Sequence, residues 1–368
     1  MNMKNIMKKW WHLAPAAHIC CTIGAAAVLL HLVLRHDHAL MVTLSENIVR
    51  PIHRFLAVLC SHFSFSMAEV LIGVFSVAVI LYIIFQIIEL ILKKEKLKRL
   101  YRTAVSLLAA FLLVYGGLCI LWGTYYYGDN FSQKSGIADE PVSVEELTEV
   151  TQYFAGVLNE YGAKVSRDEN GVYNADRQSI LDRSDKIYEA TEEILPCLSG
   201  PDIKAKGVHF SKIMSYIDFT GFFFPFTAEA NVNTDFPQSL LPATIAHELS
   251  HQRGVAKEQE ANFTAVLVCM NSGDADYIYS GAMLAYVYLG NALYKADQEA
   301  WSEVYHSLDD NVITDLRYKN AYWAQFKTEV KTVSNAVYES FLQSYDQKLG
   351  LQSYGACVDM LVGYYKTK

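Results

Sequence analysis

The sequence is poor in charged residues and in cysteine. Charged side chains make up 19% of its 368 residues, whereas a soluble domain usually carries about 25%. An apolar fraction of 52% excludes a disordered chain, which needs low hydrophobicity and high charge. Seven cysteines are too few for a small fold held together by disulfides. The net charge of -8 argues against a nucleic-acid partner, which would require a basic surface.

The apolar residues are concentrated in three long runs within the first 124 residues. We predict transmembrane helices at about 13–34, 67–92 and 103–123, because about 20 helical residues cross the hydrocarbon core of a bilayer. Residues 1–124 are therefore predicted to form a membrane domain that has the lipid bilayer as a partner, and residues 125–368 a second domain. The segment 44–65 mixes basic and apolar residues and is predicted to be an amphipathic helix at the membrane surface.

Basic residues near the predicted spans indicate an orientation. Six of them fill the short link between the second and third spans: Lys93, Lys94, Lys96, Lys98, Arg99 and Arg102. Because cytoplasmic loops are enriched in lysine and arginine, this link and the N-terminus are predicted to be cytoplasmic and the C-terminal domain extracytoplasmic. Residues 1–124 carry a net charge of +7 and residues 125–368 a net charge of -15, so the overall charge describes neither part.

The C-terminal part combines helical patterns with one strand-rich region. Ser143 and Glu146 form a capping box, which predicts a helix that runs to about Tyr161. A further helix is predicted over 179–195. The region 208–232 is rich in aromatic and β-branched residues and predicts a small sheet. The predicted fold is mainly α, with three transmembrane helices followed by an α+β domain.

The pentapeptide His-Glu-Leu-Ser-His carries the main chemical signal. Ser239 is a suitable helix cap and Pro242 is tolerated in a first turn, so the motif is predicted to lie on a helix. His247 and His251 are four residues apart and share one face of that helix. Two imidazoles so placed can bind one Zn²⁺. Glu248 beside them is the predicted catalytic residue, a general base toward a water molecule at the metal.

Zinc needs a third protein ligand, and the acidic segment after the motif supplies candidates. Glu258 faces the metal if a second helix begins here, and it is the first choice. Glu260 lies about 200° from Glu258 around such a helix, so the two cannot both face one metal, and Glu260 is the alternative ligand. Asn262 shares the side of Glu258 and is predicted to hydrogen-bond a histidine from outside the ligand set.

These residues resemble known protein families. The H-E-x-x-H motif with the run Glu258-Gln-Glu-Ala-Asn262 resembles the gluzincin metallopeptidases. The longer stretches 221–233, 246–263 and 352–359 are similar to a bacterial membrane family known mainly as a domain of unknown function, in which several spans precede a zincin-like domain. The resemblance implies a multi-pass protein of the bacterial cell membrane with a zincin-like fold. It also implies Zn²⁺ at His247, His251 and Glu258, with Glu248 catalytic.

The expected function is hydrolysis of peptide bonds by a membrane-anchored zinc metallopeptidase acting outside the cytoplasmic membrane. The edge of the region 221–233 is expected to pair with an extended peptide or protein substrate, through Phe224, Thr227, Glu229 and Asn231. The alternative is a zinc-binding sensor or peptide-binding module that keeps the peptidase fold without turnover. Neither the oligomeric state nor the residue that stabilises the oxyanion follows from the sequence, although Tyr216, Arg317 and Tyr354 are candidates for the latter.

Overall fold

The computed structural model describes residues 10–137, 141–326, 329–345 and 355–366. The chain divides into two compact units, of which the first comprises Met1–Pro51 and Met67–Gly128 and the second comprises Ile52–Ser66 and Asp129–Lys368. The predicted domains 1–124 and 125–368 assigned residues 52–66 to the membrane part. The contacts instead group residues 52–66 with the second unit, because one face of that segment is buried against the sheet there.

The first unit is helical. Its helices are α1 (Pro15–Leu34), α2 (His38–Leu44), a π-helical turn (Ser45–Val49), α4 (Met67–Leu92), α5 (Lys96–Leu121) and α6 (Gly123–Tyr127). Helix α3 (Arg50–Ser61) follows the π-helical turn, and most of it belongs to the second unit. Helices α1, α4 and α5 are long and apolar enough to cross a membrane, with mean hydropathies of 2.1, 2.7 and 2.4. These three helices are consistent with a membrane protein.

The bounds of two predicted spans differ from those in the structure. Helix α1 begins at Pro15 rather than at residue 13, because proline suits the first helical position. Helix α5 begins at Lys96 rather than at residue 103, since lysine and arginine are good helix formers and extend the helix before its apolar part. Helices α1 and α5 approach closely at Gly24, where a Cβ atom would lie 2.6 Å from the backbone of Leu112.

The second unit is a mainly helical body with a small sheet. Its helices are α7 (Phe131–Ser135), α8 (Val144–Gly162), α9 (Arg177–Asp182), α10 (Glu189–Ile194), α11 (Ser211–Tyr216), α12 (Leu241–Gln252), α13 (Glu258–Asn271), α14 (Ala275–Ala296), α15 (Gln298–His306), α16 (Asp310–Ala324), α17 (Glu329–Ser344) and α18 (Gly355–Tyr365). Its strands are β1 (Lys206–Val208), β2 (Gly221–Phe224) and β3 (Glu229–Asn233). The mainly helical class and the small sheet are confirmed.

The three strands form one mixed sheet in the order β1-β3-β2. The central strand β3 pairs in parallel with β1, with Lys206 opposite Asn231, and antiparallel with β2, with Gly221 opposite Val232. Alternate side chains of a strand point to opposite faces. Ala230 and Val232 accordingly join the apolar core with α12, and Asn231 between them faces the segment 52–66, where Ser66 donates a hydrogen bond to it.

Two helix predictions for the second unit have different outcomes. The capping box at Ser143 is present and begins α8, which confirms that helix. The helix predicted over 179–195 is instead split into α9 and α10. The side chain of Ser184 donates to the carbonyl of Leu181 and accepts from the N–H of Ala205. A serine that bonds nearby backbone competes with the helical ladder, which accounts for the interruption.

Candidate metal centre

Helix α12 carries the two histidines, and its start depends on tertiary contacts. Pro242 lies in its first turn as predicted, but the predicted cap Ser239 is in the preceding 3₁₀ turn. The backbone N–H of Ala243 donates to the hydroxyl of Ser280 on α14 over 2.9 Å. A neighbouring helix thus satisfies one of the free N–H groups that a helix start exposes. No local sequence pattern could have identified this partner.

A tight turn between α12 and α13 brings the third candidate ligand back to the histidines. Gly254 has a φ of +90°, a conformation that favours glycine. In the same turn, the Nδ1–H of His251 donates to the carbonyl of Val255 over 2.6 Å. This bond leaves the Nε2 of His251 unprotonated in the neutral ring, so that it is available as a metal ligand. A backbone carbonyl therefore orients His251, and the hydrogen bond predicted from Asn262 to a histidine stays a prediction.

The structure brings together His247, His251 and Glu258. The Nε2 of His247 lies 3.2 Å from Oε2 of Glu258, and the Nε2 of His251 lies 3.6 Å from Oε1. One ligand atom of each residue lies within 4.8 Å of the others. Ligands about 2.05 Å from a tetrahedral ion are about 3.4 Å apart. The three residues therefore fit one zinc ion in donor type and in spacing.

Glu260, the alternative third ligand, points away from the histidines. Its Oε2 accepts a hydrogen bond from the backbone N–H of Phe131 over 2.9 Å, and its side chain is buried. The carboxylate thus caps the start of α7, where a negative charge is favourable. The helical angle between Glu258 and Glu260 accounts for their different surroundings, and only Glu258 lies with the histidines.

Glu248 is buried beside this cluster, with 4% of its surface exposed. Among the described residues, its Oε2 has no hydrogen-bond partner, which is unusual for a buried carboxyl oxygen. Burial raises the pKa of Glu248 to about 7, although His247 and His251 act in the opposite direction. A carboxyl with a pKa near neutrality and an unused oxygen is suited to accept and return a proton.

The carboxylate of Glu258 and the imidazole of His251 influence each other's pKa. Burial alone would lower the pKa of His251, but the carboxylate of Glu258 outweighs it and raises this pKa to about 9. Burial likewise opposes ionisation of Glu258, yet the two histidines hold its pKa well below the ordinary value. The protein chain thus presents an ionised carboxylate to a site that favours positive charge.

Tyr338 is a site residue that the sequence analysis missed. Its hydroxyl donates to Oε1 of Glu258 over 2.7 Å, and its ring packs edge-on against Phe219 at 5.2 Å. Tyr338 lies on α17, which is tied to the loop before β2 by a bond from Ser334 to the carbonyl of Ile217. Eighty residues separate Tyr338 from Glu258, and no spacing signal links them in the sequence.

The strand β2 lies directly against the buried Glu248. A Cβ atom on Gly221 would be 2.4 Å from Oε1 of Glu248, so only glycine permits this approach. Phe224 is also on β2, which is an edge strand of the sheet. Thr227 is buried in the turn that follows.

Two of the predicted substrate-edge residues are not at an edge. Glu229 and Asn231 lie on the central strand β3, and both are buried. The Nζ of Lys206 lies 2.6 Å from Oε1 of Glu229, and Oδ1 of Asn231 accepts a hydrogen bond from the hydroxyl of Ser66 over 2.6 Å. Their polar groups are used inside the fold, so these two residues do not form the exposed edge at which the sequence placed them.

The oxyanion candidates from the sequence are not supported by their surroundings. Tyr216 packs edge-on against Phe326 at 5.1 Å, and Arg317 is exposed on α16. Tyr354 lies outside the described residues.

Comparison with known proteins identifies the family of the chain. The family described as "Protein of unknown function (DUF3810)" matches residues 44–362, and the chain belongs to it. No curated protein and no solved structure matches the chain significantly. The match includes every residue of the candidate metal centre.

Proposed function

We propose that this member of the DUF3810 family is a membrane-anchored, zinc-dependent metallopeptidase that hydrolyses peptide bonds outside the cytoplasmic membrane. The observation that carries the proposal is the convergence of two imidazoles and one carboxylate beside a buried carboxyl group. His247 and His251 lie 3.2 and 3.6 Å from the oxygens of Glu258, and Glu248 is adjacent. Three ligands and a nearby general base are the arrangement that catalytic zinc sites use.

In the proposed site, His247, His251 and Glu258 would hold the zinc ion. When bound, zinc would supply a Lewis acid that polarises the peptide carbonyl and makes a water molecule more acidic. The bond from His251 to the carbonyl of Val255 orients one imidazole, and such support from outside the ligand set commonly tunes a metal site. The ionised state of Glu258 adds the negative charge that a divalent cation requires.

Glu248 is the proposed proton carrier. It takes a proton from the attacking water and transfers it to the nitrogen of the departing amine. Its pKa of about 7 suits both halves of this task, because the group binds and releases a proton near neutral pH. The strand β2 keeps the carboxyl in place, since the backbone at Gly221 lies directly against it.

Tyr338 is proposed as a positioning residue. Its hydroxyl donates to Glu258 over 2.7 Å, and a hydrogen bond to an ionised acceptor is stronger than one between neutral groups. The bond holds the carboxylate so that its other oxygen faces His247.

The edge strand β2 is the proposed binding site for an extended substrate. β3 pairs with one side of β2, and an added peptide strand would use the other side through main-chain hydrogen bonds. Phe224 would then contact substrate side chains. Because β2 also touches Glu248, a peptide paired there would lie beside the proposed catalytic group.

The extracytoplasmic location is proposed from charge. The basic residues between α4 and α5 favour a cytoplasmic link. One candidate span precedes residues 52–66 and three precede residues 129–368. Because both numbers are odd, both parts of the second unit would lie outside. A reporter fused to the C-terminus tests this, and activity of a cytoplasm-specific reporter there would contradict it.

The zinc proposal is tested with the full chain in detergent, because the second unit includes residues 52–66. We expect about one zinc ion per chain in the wild type and a large loss in His247→Ala, which removes a ligand. Glu260→Gln is the matched control and should retain zinc, since Glu260 faces α7. Equal and negligible zinc in wild type and His247→Ala would refute the proposal.

Glu248→Gln separates the peptidase from the non-catalytic alternative. Glutamine has nearly the same shape but cannot carry the proton. Hydrolysis of extended fluorogenic peptides should therefore be lost while zinc remains bound. If the wild type binds zinc and peptide, and neither it nor Glu248→Gln shows turnover, the chain is a zinc-binding sensor or peptide-binding module.

A further inference from the structure

Helix α3 and the loop after it carry apolar side chains on two opposite faces. One face of the helix is buried against the rest of the second unit. It carries His53, Ala57 and Cys60 at the i, i+4 and i+7 positions. Six large apolar side chains of the same segment are 40–67% exposed: Ile52, Phe55, Val58, Leu59, Phe63 and Phe65. The sequence predicted an amphipathic helix here, and the structure adds that its more apolar face points away from the protein.

Polar contacts fix the direction of this exposed face. The guanidinium of Arg54 donates to the carbonyl of Ser199 over 2.8 Å. The ammonium of Lys206 donates to the carbonyls of Cys60 and Phe65 over 2.7 and 3.0 Å. The segment is therefore a fixed part of the second unit at both its helical and its loop end.

The buried charge under the segment is compensated within the fold. Lys206 pairs with Glu229 at 2.6 Å, and both side chains are less than 10% exposed. Ser66 adds a hydrogen bond to Asn231 over 2.6 Å. Because a buried lysine needs such partners, the segment cannot rotate to hide its apolar face without leaving the charge of Lys206 less well satisfied.

Chain connectivity indicates what covers the exposed face. Helix α4, which is long and apolar enough to span a membrane, begins at Met67. Phe65 is two residues earlier, so the two Cα atoms are at most about 7 Å apart. Phe63 and Phe65 must consequently lie close to the level at which α4 enters the bilayer. Six large exposed apolar side chains within one short segment indicate an interaction site rather than ordinary surface variation.

We infer that the exposed face of residues 52–65 docks into the lipid bilayer at the headgroup–acyl boundary and holds the second unit on the membrane surface. Helices that lie in this boundary bury one apolar face by about 5–10 Å. The inference depends on α4 being a transmembrane helix. It does not depend on peptidase activity, so it can fail or hold independently of the proposed function.

Photo-crosslinking of the full chain in vesicles tests this docking. Phe55→p-benzoylphenylalanine places a photoreactive ring on the exposed face, and the chain is reconstituted in phosphatidylethanolamine and phosphatidylglycerol. Tyr294→p-benzoylphenylalanine is the control, because Tyr294 is a 47% exposed aromatic residue of the same unit. Intact-protein mass spectrometry after irradiation measures adducts with the mass of one phospholipid.

We expect about tenfold more lipid adduct at position 55 than at position 294, because acyl C–H groups surround only a membrane-embedded ring. Leu59→p-benzoylphenylalanine provides an independent measurement on the same face if the first variant folds poorly. Equal adduct yields at the test and control positions would overturn the inference. A chain-to-chain crosslink that exceeds the lipid adduct would also overturn it, because the face would then be covered by a second copy.

Discussion

Replacing Gly221 with alanine probes the contact between β2 and the proposed proton carrier. The added Cβ would lie 2.4 Å from Oε1 of Glu248, 2.7 Å from Cγ and 2.8 Å from Cδ. Ordinary carbon contacts are about 3.5–4.0 Å long. One of the two groups must therefore move by about 1 Å. Because Glu248 is only 4% exposed, it has little free space in which to do so.

The expected cost follows from this lack of space. Overpacking a closely packed site by one methyl group costs about 1–3 kcal/mol of folding free energy. Removing the Glu248 side chain should relieve most of that cost. In the Glu248→Ala background, Gly221→Ala should therefore cost less than about 0.5 kcal/mol. The two substitutions should then show a coupling energy of about 0.5 kcal/mol or more.

The assay is a double-mutant cycle measured by unfolding of the purified full chain. It compares the wild type, Gly221→Ala, Glu248→Ala and the double variant, and it needs no substrate. Gly156→Ala is the matched control, because Gly156 lies on α8 and a Cβ there meets nothing within 4 Å. Alanine is the better helix former, so the control should be neutral or stabilised by up to about 1 kcal/mol.

A catalytic measurement adds a second test of the same contact. A displacement of about 1 Å at a reacting group can reduce the rate about 100-fold. Gly221→Ala should therefore lose most peptide hydrolysis while binding zinc as the wild type does. If the two stability changes simply add, or if Gly221→Ala is as stable and as active as the wild type, the reasoning about β2 and Glu248 is refuted.

Three further predictions concern side chains that support the fold and the site. Burial lowers the pKa of His53 from 6.5 to about 4, so its contribution to stability is complete above pH 6.5 and is lost as the pH falls toward 4. The loss at about pH 5 should be about 2 kcal/mol, and an equal drop in melting temperature for wild type and His53→Gln would contradict this. Tyr338→Phe removes the hydrogen bond to Glu258 and should weaken zinc binding about 10-fold or more in a chelator competition, whereas unchanged affinity would exclude a positioning role. Lys206→Met leaves the carboxylate of Glu229 buried without its partner and should destabilise the chain by about 3–5 kcal/mol. Adding Glu229→Gln should restore much of that loss, and no restoration would argue against the ion pair.

Local signals predicted the parts of this protein that depend on neighbouring residues in the chain. Long apolar runs predicted the three membrane-capable helices, since span length and hydropathy need no tertiary information. The capping box at Ser143 predicted the start of α8, because all its hydrogen bonds lie within one helical turn. The helical periodicity likewise separated Glu258 from Glu260, because residues two positions apart lie about 200° from each other around a helix.

Long-range contacts were beyond these local signals. The helix predicted over 179–195 was wrong because Ser184 bonds to Ala205 on another segment. Glu229 was expected at a sheet edge, but strand order, which no strand reveals by itself, places β3 in the centre of the sheet.

The sequence by itself determined the three apolar helices, the mainly helical class and the spacing of His247, His251 and Glu258. These features follow from composition and from the geometry of single helices. Only the tertiary structure placed Tyr338 on Glu258 and brought Gly221 against the buried Glu248. It alone also moved residues 52–66 from the membrane part into the second unit. Such contacts join residues far apart in the chain, and they arise when packing buries charges and apolar faces that no single segment can bury.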